Sequence, residues 1–181
     1  MAVIGVISDT HVPDRAPALH PRVLQVFRQA GVERILHDGD VMVPGVLDEL
    51  ARVAPVQAVR GNRDFFALRH LPTSLSLECE GVKIGLAHGH GSWDIYLKDK
   101  MDISLYGKRA GRYLQRMLLA FPEADVIVFG HLHVPGSLWL EGKLVFNPGS
   151  ACCPWPKAHP PTVGLLHIQG GKAQGEIIEL G

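Results

Sequence analysis

Five times along this chain a short run of β-branched and apolar residues ends abruptly in a cluster of Asp, His or Asn. AVIGVI runs into SDTH, ILH into DGD, AVRG into NRD, IGLA into HGH, and VIVFG into HLH. Runs this continuously apolar, with no polar alternation, suit strands buried on both faces, which are characteristic of parallel sheets covered by helices. Residues 2–7 read as such a strand, followed by a polar, proline-punctuated loop over 8–17. Residues 21–30 place Val23, Leu24, Phe27 and Ala30 at helical spacing, with Gly31 as the stop. A strand over 32–36, a helix over 46–53 and a strand over 56–60 complete a βαβαβ rhythm of crossover connections.

The second half reads differently. Strands over 75–79 and 82–87 flank a hairpin break at 80–81. Residues 105–121 form the longest expected helix, with Tyr113, Leu114, Met117, Leu118 and Phe121 as its apolar stripe. A strand over 126–129 leads into GHLH, and short strands follow over 137–140, 143–146, 163–168 and 173–178. With 181 residues, no internal repeat and no linker-like tract, one domain over 1–181 built on two sheets is expected.

The chain holds 18 basic and 18 acidic residues, so no global field recruits a membrane surface or nucleic acid, and sequence-specific nucleic-acid binding is not expected. The opening MAVIGVISDTH lacks a basic n-region, and no apolar run approaches the ~18 residues of a membrane span. Three cysteines, Cys79, Cys152 and Cys153, make a poor disulfide framework. A reducing cytoplasm is the expected setting.

Each polar cluster follows a strand, and ligands gather at the carboxyl ends of strands in open α/β sheets. Asp9, His11, Asp40, Asn62, His88, His131 and His133 can therefore converge on one crevice. A donor set of Asp, His and Asn without cysteine suits hard-to-borderline divalent cations such as Mn²⁺, Mg²⁺, Fe²⁺ or Zn²⁺. Seven ligands are too many for one tetrahedral ion and suit two ions sharing a bridge, for which Asp40 is the natural carboxylate. Two metals ~3.5–4 Å apart clamp a phosphate and activate a water between them.

Taken in order, D-x-H (Asp9 to His11), G-D (Gly39, Asp40), G-N-x-D (Gly61 to Asp64), H-G-H (His88 to His90) and G-H-x-H (Gly130 to His133) resemble the calcineurin-like metallophosphoesterase superfamily. F-N-P-G-S at 146–150 resembles its small, single-domain prokaryotic phosphodiesterase branch. The resemblance spans residues 9 to 150. It implies an α/β architecture (α+β by some schemes) of two mixed β-sheets packed as a sandwich flanked by helices. It implies a first metal on Asp9, His11, Asp40 and His133 and a second on Asp40, Asn62, His88 and His131. Manganese is the usual ion of such enzymes, with Zn, Fe, Ni or Mg as alternatives. The implied activity is phosphodiester hydrolysis by a hydroxide bridging the two ions, on a small phosphate ester. Relatives often pair, so a homodimer or higher homo-oligomer belongs to the same expectation. Two rivals stand beside it: a strict phosphomonoesterase, and a non-catalytic protein-binding scaffold of the same fold.

One position departs from the pattern. Many relatives carry His after the Gly-Asn of the third block, and this chain has Arg63. Arginine keeps its proton and cannot serve as a general acid. It can pin a phosphate oxygen bidentately, so Arg63 reads as a phosphate clamp and His90 as the reserve acid. Asp64 reads as a cap or a supporting group, Asp38 as a structural cap and His37 as a satisfied core histidine. Residues 147–150 read as a turn supporting the site, and Cys152 and Cys153 as packing. Lys108, Arg109, Arg112 and Arg116 read as a solvated helix face, with anion steering as the alternative. Trp93, Tyr96 and Tyr106 offer stacking surfaces or core contacts.

Overall fold

A computed structural model describes residues 1–106 and 110–181, with side chains described outside 103–110. Two five-stranded mixed sheets face each other. Sheet A has the order β10-β9-β1-β2-β3, from β1 (Ala2–Ile7), β2 (Arg34–His37), β3 (Val56–Ala58), β9 (Thr162–Gln169) and β10 (Lys172–Glu179). Sheet B has the order β4-β5-β6-β8-β7, from β4 (Ser74–Cys79), β5 (Val82–Ala87), β6 (Val126–Val128), β7 (Gly136–Leu140) and β8 (Lys143–Asn147). Each sheet has a parallel heart, β1-β2-β3 in one and β5-β6-β8 in the other, edged by antiparallel strands.

The continuously apolar runs are explained by what lies on either side of them. In β1, Val3 and Ile7 pack into a core against α1 (Arg22–Gln29) and α2 (Pro44–Ala51), while Ile4 and Val6 point the other way, into the core between the sheets. In β6, Val126 and Val128 enter that same middle core, and Ile127 packs with Tyr113 and Met117 of α4 (Ala110–Ala120) and with Phe121 just beyond it. The period-two alternation of a strand thus serves two cores at once, and neither face meets water. Helix, sheet, sheet and helix form the layers, as the resemblance implied. Truncating Phe146, fully buried between the sheets, to Ala should cost ~3–5 kcal/mol.

Several expected boundaries shift. The second strand runs over Arg34–His37 rather than 32–36, and α2 opens two residues early, because Pro44 suits a first helical turn. The helix expected over 105–121 is α4 in its described part, and Lys108 and Arg109 lie outside the described residues. Among the described residues α3 (Trp93–Tyr106), with 14, is longer than α4, with 11. Of the described side chains of α3, Trp93, Leu97 and Met101, four apart, lie exposed on one face. Among the described residues no helix is long and apolar enough to cross a membrane.

Candidate metal centre

The parallel strands of both sheets run so that their carboxyl ends share one edge of the sandwich. Loops after β1, β2, β3, β5, β6 and β8 meet there, and they carry every residue singled out above for ligation. Donor atoms of Asp9, His11 and His133 lie within 4.8 Å of one another, as do those of Asp9, Asp40 and His88. Asp9 Oδ1 is 3.2 Å from His133 Nε2 and 3.6 Å from His11 Nε2. His88 Nε2 stands 3.1 Å from Asn62 Oδ1 and 3.3 Å from His131 Nδ1. Asp40 lies between these groups, with Oδ2 3.8 Å from His11 Nε2 and Oδ1 3.6 Å from His88 Nε2.

Backbone shape aims these side chains. Asp9, His11, Asp40, His131 and His133 all take left-handed φ, between 48° and 65°. Asp and His tolerate that region better than most residues, yet each instance is strained. Two glycines make room: a Cβ on Gly61 would collide with Asp40, and one on Gly130 would collide with Ser8 and Asp9. Asp64 accepts the amides of Asp40, Met42 and Gly61 at 3.0, 2.7 and 2.8 Å, tying the second and third loops together. No helix follows it, so capping is not its task. Ser150 Oγ donates to the Asp9 carbonyl at 2.9 Å, and Asn147 Nδ2 to the Gly130 carbonyl at 3.1 Å.

The histidine tautomers follow from their outer partners. His88 Nδ1 donates to the Asp38 carbonyl at 2.8 Å and His133 Nδ1 to the Cys153 carbonyl, so that in the neutral rings both Nε2 lone pairs face inward. Asp9 Oδ2 accepts from Ser8 Oγ and the His131 amide, whereas the buried Oδ1 accepts no hydrogen bond. A carboxylate oxygen without a donor, surrounded by inward nitrogen lone pairs, fits a cation. The residues present therefore suit divalent metal ions.

Electrostatics agrees. Burial works against charge on His88, but Asp40, with Asp9 and Asp38 behind it, overrides burial and lifts its pKa to about 10. Burial likewise opposes charge on His133, and Asp9 overrides it in the same direction. Burial would raise Asp9, yet His133 and His11 hold it well below the carboxylate range. Protons thus collect on histidines where cations would otherwise offset the carboxylates. His131 falls to about 3, through burial and then the charge on His88.

A cleft of about 580 Å³ opens over the centre, lined by His11, Asp40, Asn62, His131 and His133 and walled by Arg15, Arg63, Tyr96, Lys100, Lys157 and the stretch 152–155. Arg63 donates its amide to Asp40 Oδ1 at 2.8 Å, and its guanidinium pairs with Asp14 at the cleft wall. Asn62 Nδ2 reaches Tyr96 Oη at 3.4 Å. Nothing in the motifs pointed to Asp14, Arg15, Tyr96, Lys100 or Lys157.

His90 shares a small hollow with Arg60, Asp64, Phe65 and Trp93 and stands beside the centre, its ring centroid 5.4 Å from that of His88 and 6.3 Å from that of His131; burial followed by the His88 charge draws its pKa down to about 4. Other expectations are corrected. Asp38 caps nothing: its carboxyl is buried with neither oxygen hydrogen-bonded, and burial together with Asp9 raises its pKa. Arg112 and Arg116 are not a freely solvated face: they bind Asp99 and Asp102 of α3, and Arg116 also the Gly89 carbonyl. Cys152 and Cys153 are not core packing: they are half-buried on the cleft wall. Trp93 stacks on Phe65 at 5.2 Å, and Tyr106 lies among the side chains outside the description. His37 is fully buried, accepting from the Gly39 amide and facing Thr10 Oγ1 at 3.3 Å.

Comparison with known proteins agrees with the geometry. The profile of the calcineurin-like phosphoesterase superfamily domain matches residues 2–171. A probable metallophosphoesterase of Methanothermobacter thermautotrophicus is 38% identical over 180 residues, covering 99% of this chain and 93% of that protein. A phosphodiesterase of Methanocaldococcus jannaschii is 24% identical over 189 residues, covering 97% and 99%. Among solved structures, Vps29 of Entamoeba histolytica complexed with Zn²⁺ superposes with a TM-score of 0.70 at 25% identity, covering 99% of each chain.

Proposed function

The chain belongs to the calcineurin-like phosphoesterase superfamily, and from that premise of metal-dependent phosphoester hydrolysis we propose that it cleaves phosphodiesters at a centre holding two divalent ions, manganese foremost. The observation that carries this reading is the division of Asp40, whose two oxygens face His11 and His88 separately. A carboxylate disposed in this way suits a bridge. Asp9, His11, Asp40 and His133 would hold one ion, and Asp40, Asn62, His88 and His131 the other. Bound there, the ions would supply a water acidified to a hydroxide nucleophile and positive charge against the phosphoryl oxygens.

The chain's own groups do the rest. Arg63, steadied by Asp14, holds a phosphoryl oxygen from the cleft wall. Arg63 keeps its proton and cannot give one to the leaving oxygen, so esters with acidic leaving groups are favoured, with His90 beside the centre as the reserve acid. Diesters would fit because residues beyond the ligand groups also line the cleft. Tyr96 stands against Asn62 at one end, and the Trp155 amide binds the His133 carbonyl at the other, which gives each substituent on phosphorus a wall. The phosphodiesterase relative supports the same choice.

Side-by-side assay of bis-p-nitrophenyl phosphate and p-nitrophenyl phosphate with Mn²⁺ tests this. Faster turnover of the diester is expected, with a steep dependence on leaving-group acidity across aryl esters. Turnover of the monoester alone would make the enzyme a phosphomonoesterase. The likeness to Vps29 carries a second reading, a protein-binding scaffold, which requires no turnover with any divalent ion.

A further inference from the structure

The paired cysteines on the cleft wall are wired to the metal centre through their backbone. Their sulfurs lie 2.7 Å apart, about 0.7 Å beyond an S–S bond of about 2.05 Å. The Cys153 carbonyl is the acceptor that fixes the His133 ring. The amides of Cys152 and Cys153 both donate to Ser150 Oγ, at 3.3 and 2.9 Å, and that hydroxyl donates to the Asp9 carbonyl. Cys79 ends β4 opposite Val82, at the start of β5, whereas the centre lies beyond the end of β5.

We propose that Cys152 and Cys153 are a redox modification site, closing reversibly into a disulfide between neighbouring residues that loosens the ion held by Asp9, His11 and His133. This rests on the two-metal reading above. A hydroperoxide is the oxidant. Burial, and then Cys153 itself, keeps the Cys152 thiol protonated, so the Cys153 sulfur gives up its proton and attacks the peroxide, forming an S–O bond and breaking O–O, with the alcohol (or water) leaving and taking a proton. The second thiol then attacks that sulfur, forming S–S and releasing water. Two electrons and two hydrogens pass from the thiols to the peroxide, and an external dithiol returns them.

Closure acts on the centre through geometry. Adjacent Cα atoms lie about 3.8 Å apart, while ordinary disulfides span about 4.4–6.8 Å, so the eight-membered ring must reorient the peptide between the two residues. That turns the Cys153 amide from Ser150 and shifts the carbonyl that holds His133. Losing such an outer partner lowers metal affinity roughly 10–100-fold.

The test treats the full-length protein with hydrogen peroxide, measures intact mass and free thiols, and titrates Mn²⁺ calorimetrically before and after. The expected result is a monomer lighter by two hydrogens, with a peptide map joining Cys152 to Cys153. One Mn²⁺ affinity falls by roughly tenfold or more and is restored by a dithiol that is then removed. Cys152→Ser and Cys153→Ser, each compared with itself, keep their affinity through peroxide. A cross-link involving Cys79 or a second chain overturns the proposal, and so does an equal affinity loss in either serine variant. If the reduced protein takes up no Mn²⁺, the two-metal reading fails and this one with it. If it binds two ions and the closed disulfide changes neither, only this inference fails.

Discussion

The loops leaving sheet A bring Asp9, His11, Asp40 and Asn62 to the centre, whereas those leaving sheet B bring His88, His131 and His133. One half thus supplies all the carboxylate charge, and the other supplies only nitrogen donors. The two halves also fix their groups differently. Sheet A aligns its carboxylates with amides and hydroxyls, from Ser8, Arg63 and the loop that Asp64 ties to Asp40. Sheet B orients two of its histidines, His88 and His133, through carbonyls, and one of these carbonyls, on Asp38, belongs to sheet A. Neither half is a metal site alone. The centre exists because the middle core of Ile4, Val6, Leu36, Leu86, Val128 and Phe146 holds the two edges face to face.

The largest expected effect comes from Asp40, the group that faces histidines of both halves. Asp40→Ala should lose kcat/KM on bis-p-nitrophenyl phosphate by roughly 10²–10³-fold or more and lower the content of both ions, read by metal analysis. A parent-like rate would end the bridging assignment. Next, His11→Ala and His88→Ala should each retain one ion of the two. If calorimetry shows that either variant loses both, the two ion sites are not independent. Arg63→Ala keeps the backbone amide that serves Asp40, so metal content should hold while kcat/KM falls roughly 10–100-fold, the worth of a hydrogen bond to a charged group. An unchanged kcat/KM discards the clamp.

Smaller effects appear with pH. With its pKa lifted to about 10, His88 carries a proton at neutral pH in the metal-free protein, and an incoming cation must displace it. Affinity should therefore rise with pH up to about 10, with proton release seen as calorimetric heats that differ between buffers of different ionisation enthalpy. Heats that do not depend on the buffer would mean that His88 is already neutral. Asp38 gives the smallest effect. Its raised pKa means that the unfolded chain releases this proton at lower pH than the folded one, so the carboxyl costs the native state more as pH rises above the ordinary aspartate range. Asp38→Asn should gain stability relative to the parent as pH rises above the ordinary aspartate range, followed by denaturant unfolding with chelator present. A constant difference between the two would mean that the buried carboxyl is ionised throughout.

The sequence was most readable where two faces of a strand are buried at once, because that demand erases alternation and leaves continuous apolar runs, as in β1 and β6. It was least readable at α3. There Trp93, Leu97 and Met101 face outward, and the helix is fastened by Asp99 and Asp102 to arginines of α4, so no apolar period marks it. The residues that converge were legible because each terminates a strand and because Asp and His recur two apart. The cleft walls were not. Arg15, Tyr96, Lys100 and Lys157 carry no local pattern and meet only through packing. Cys153 serves through its carbonyl, which every residue type possesses, so its part left no trace in residue identity.

The left-handed turns at Asp9, His11, Asp40, His131 and His133 carry a consequence for how ions come and go. Each such conformation costs about 1–3 kcal/mol, and the packed sheets behind the loops sustain it. The hollow therefore outlasts its contents: stripping the protein with a chelator should leave a shaped, acid-rich socket rather than a collapsed one. A socket that is moulded beforehand accepts neighbouring members of the divalent series with little rearrangement, so the ion found in it will reflect the surrounding supply as much as the fold.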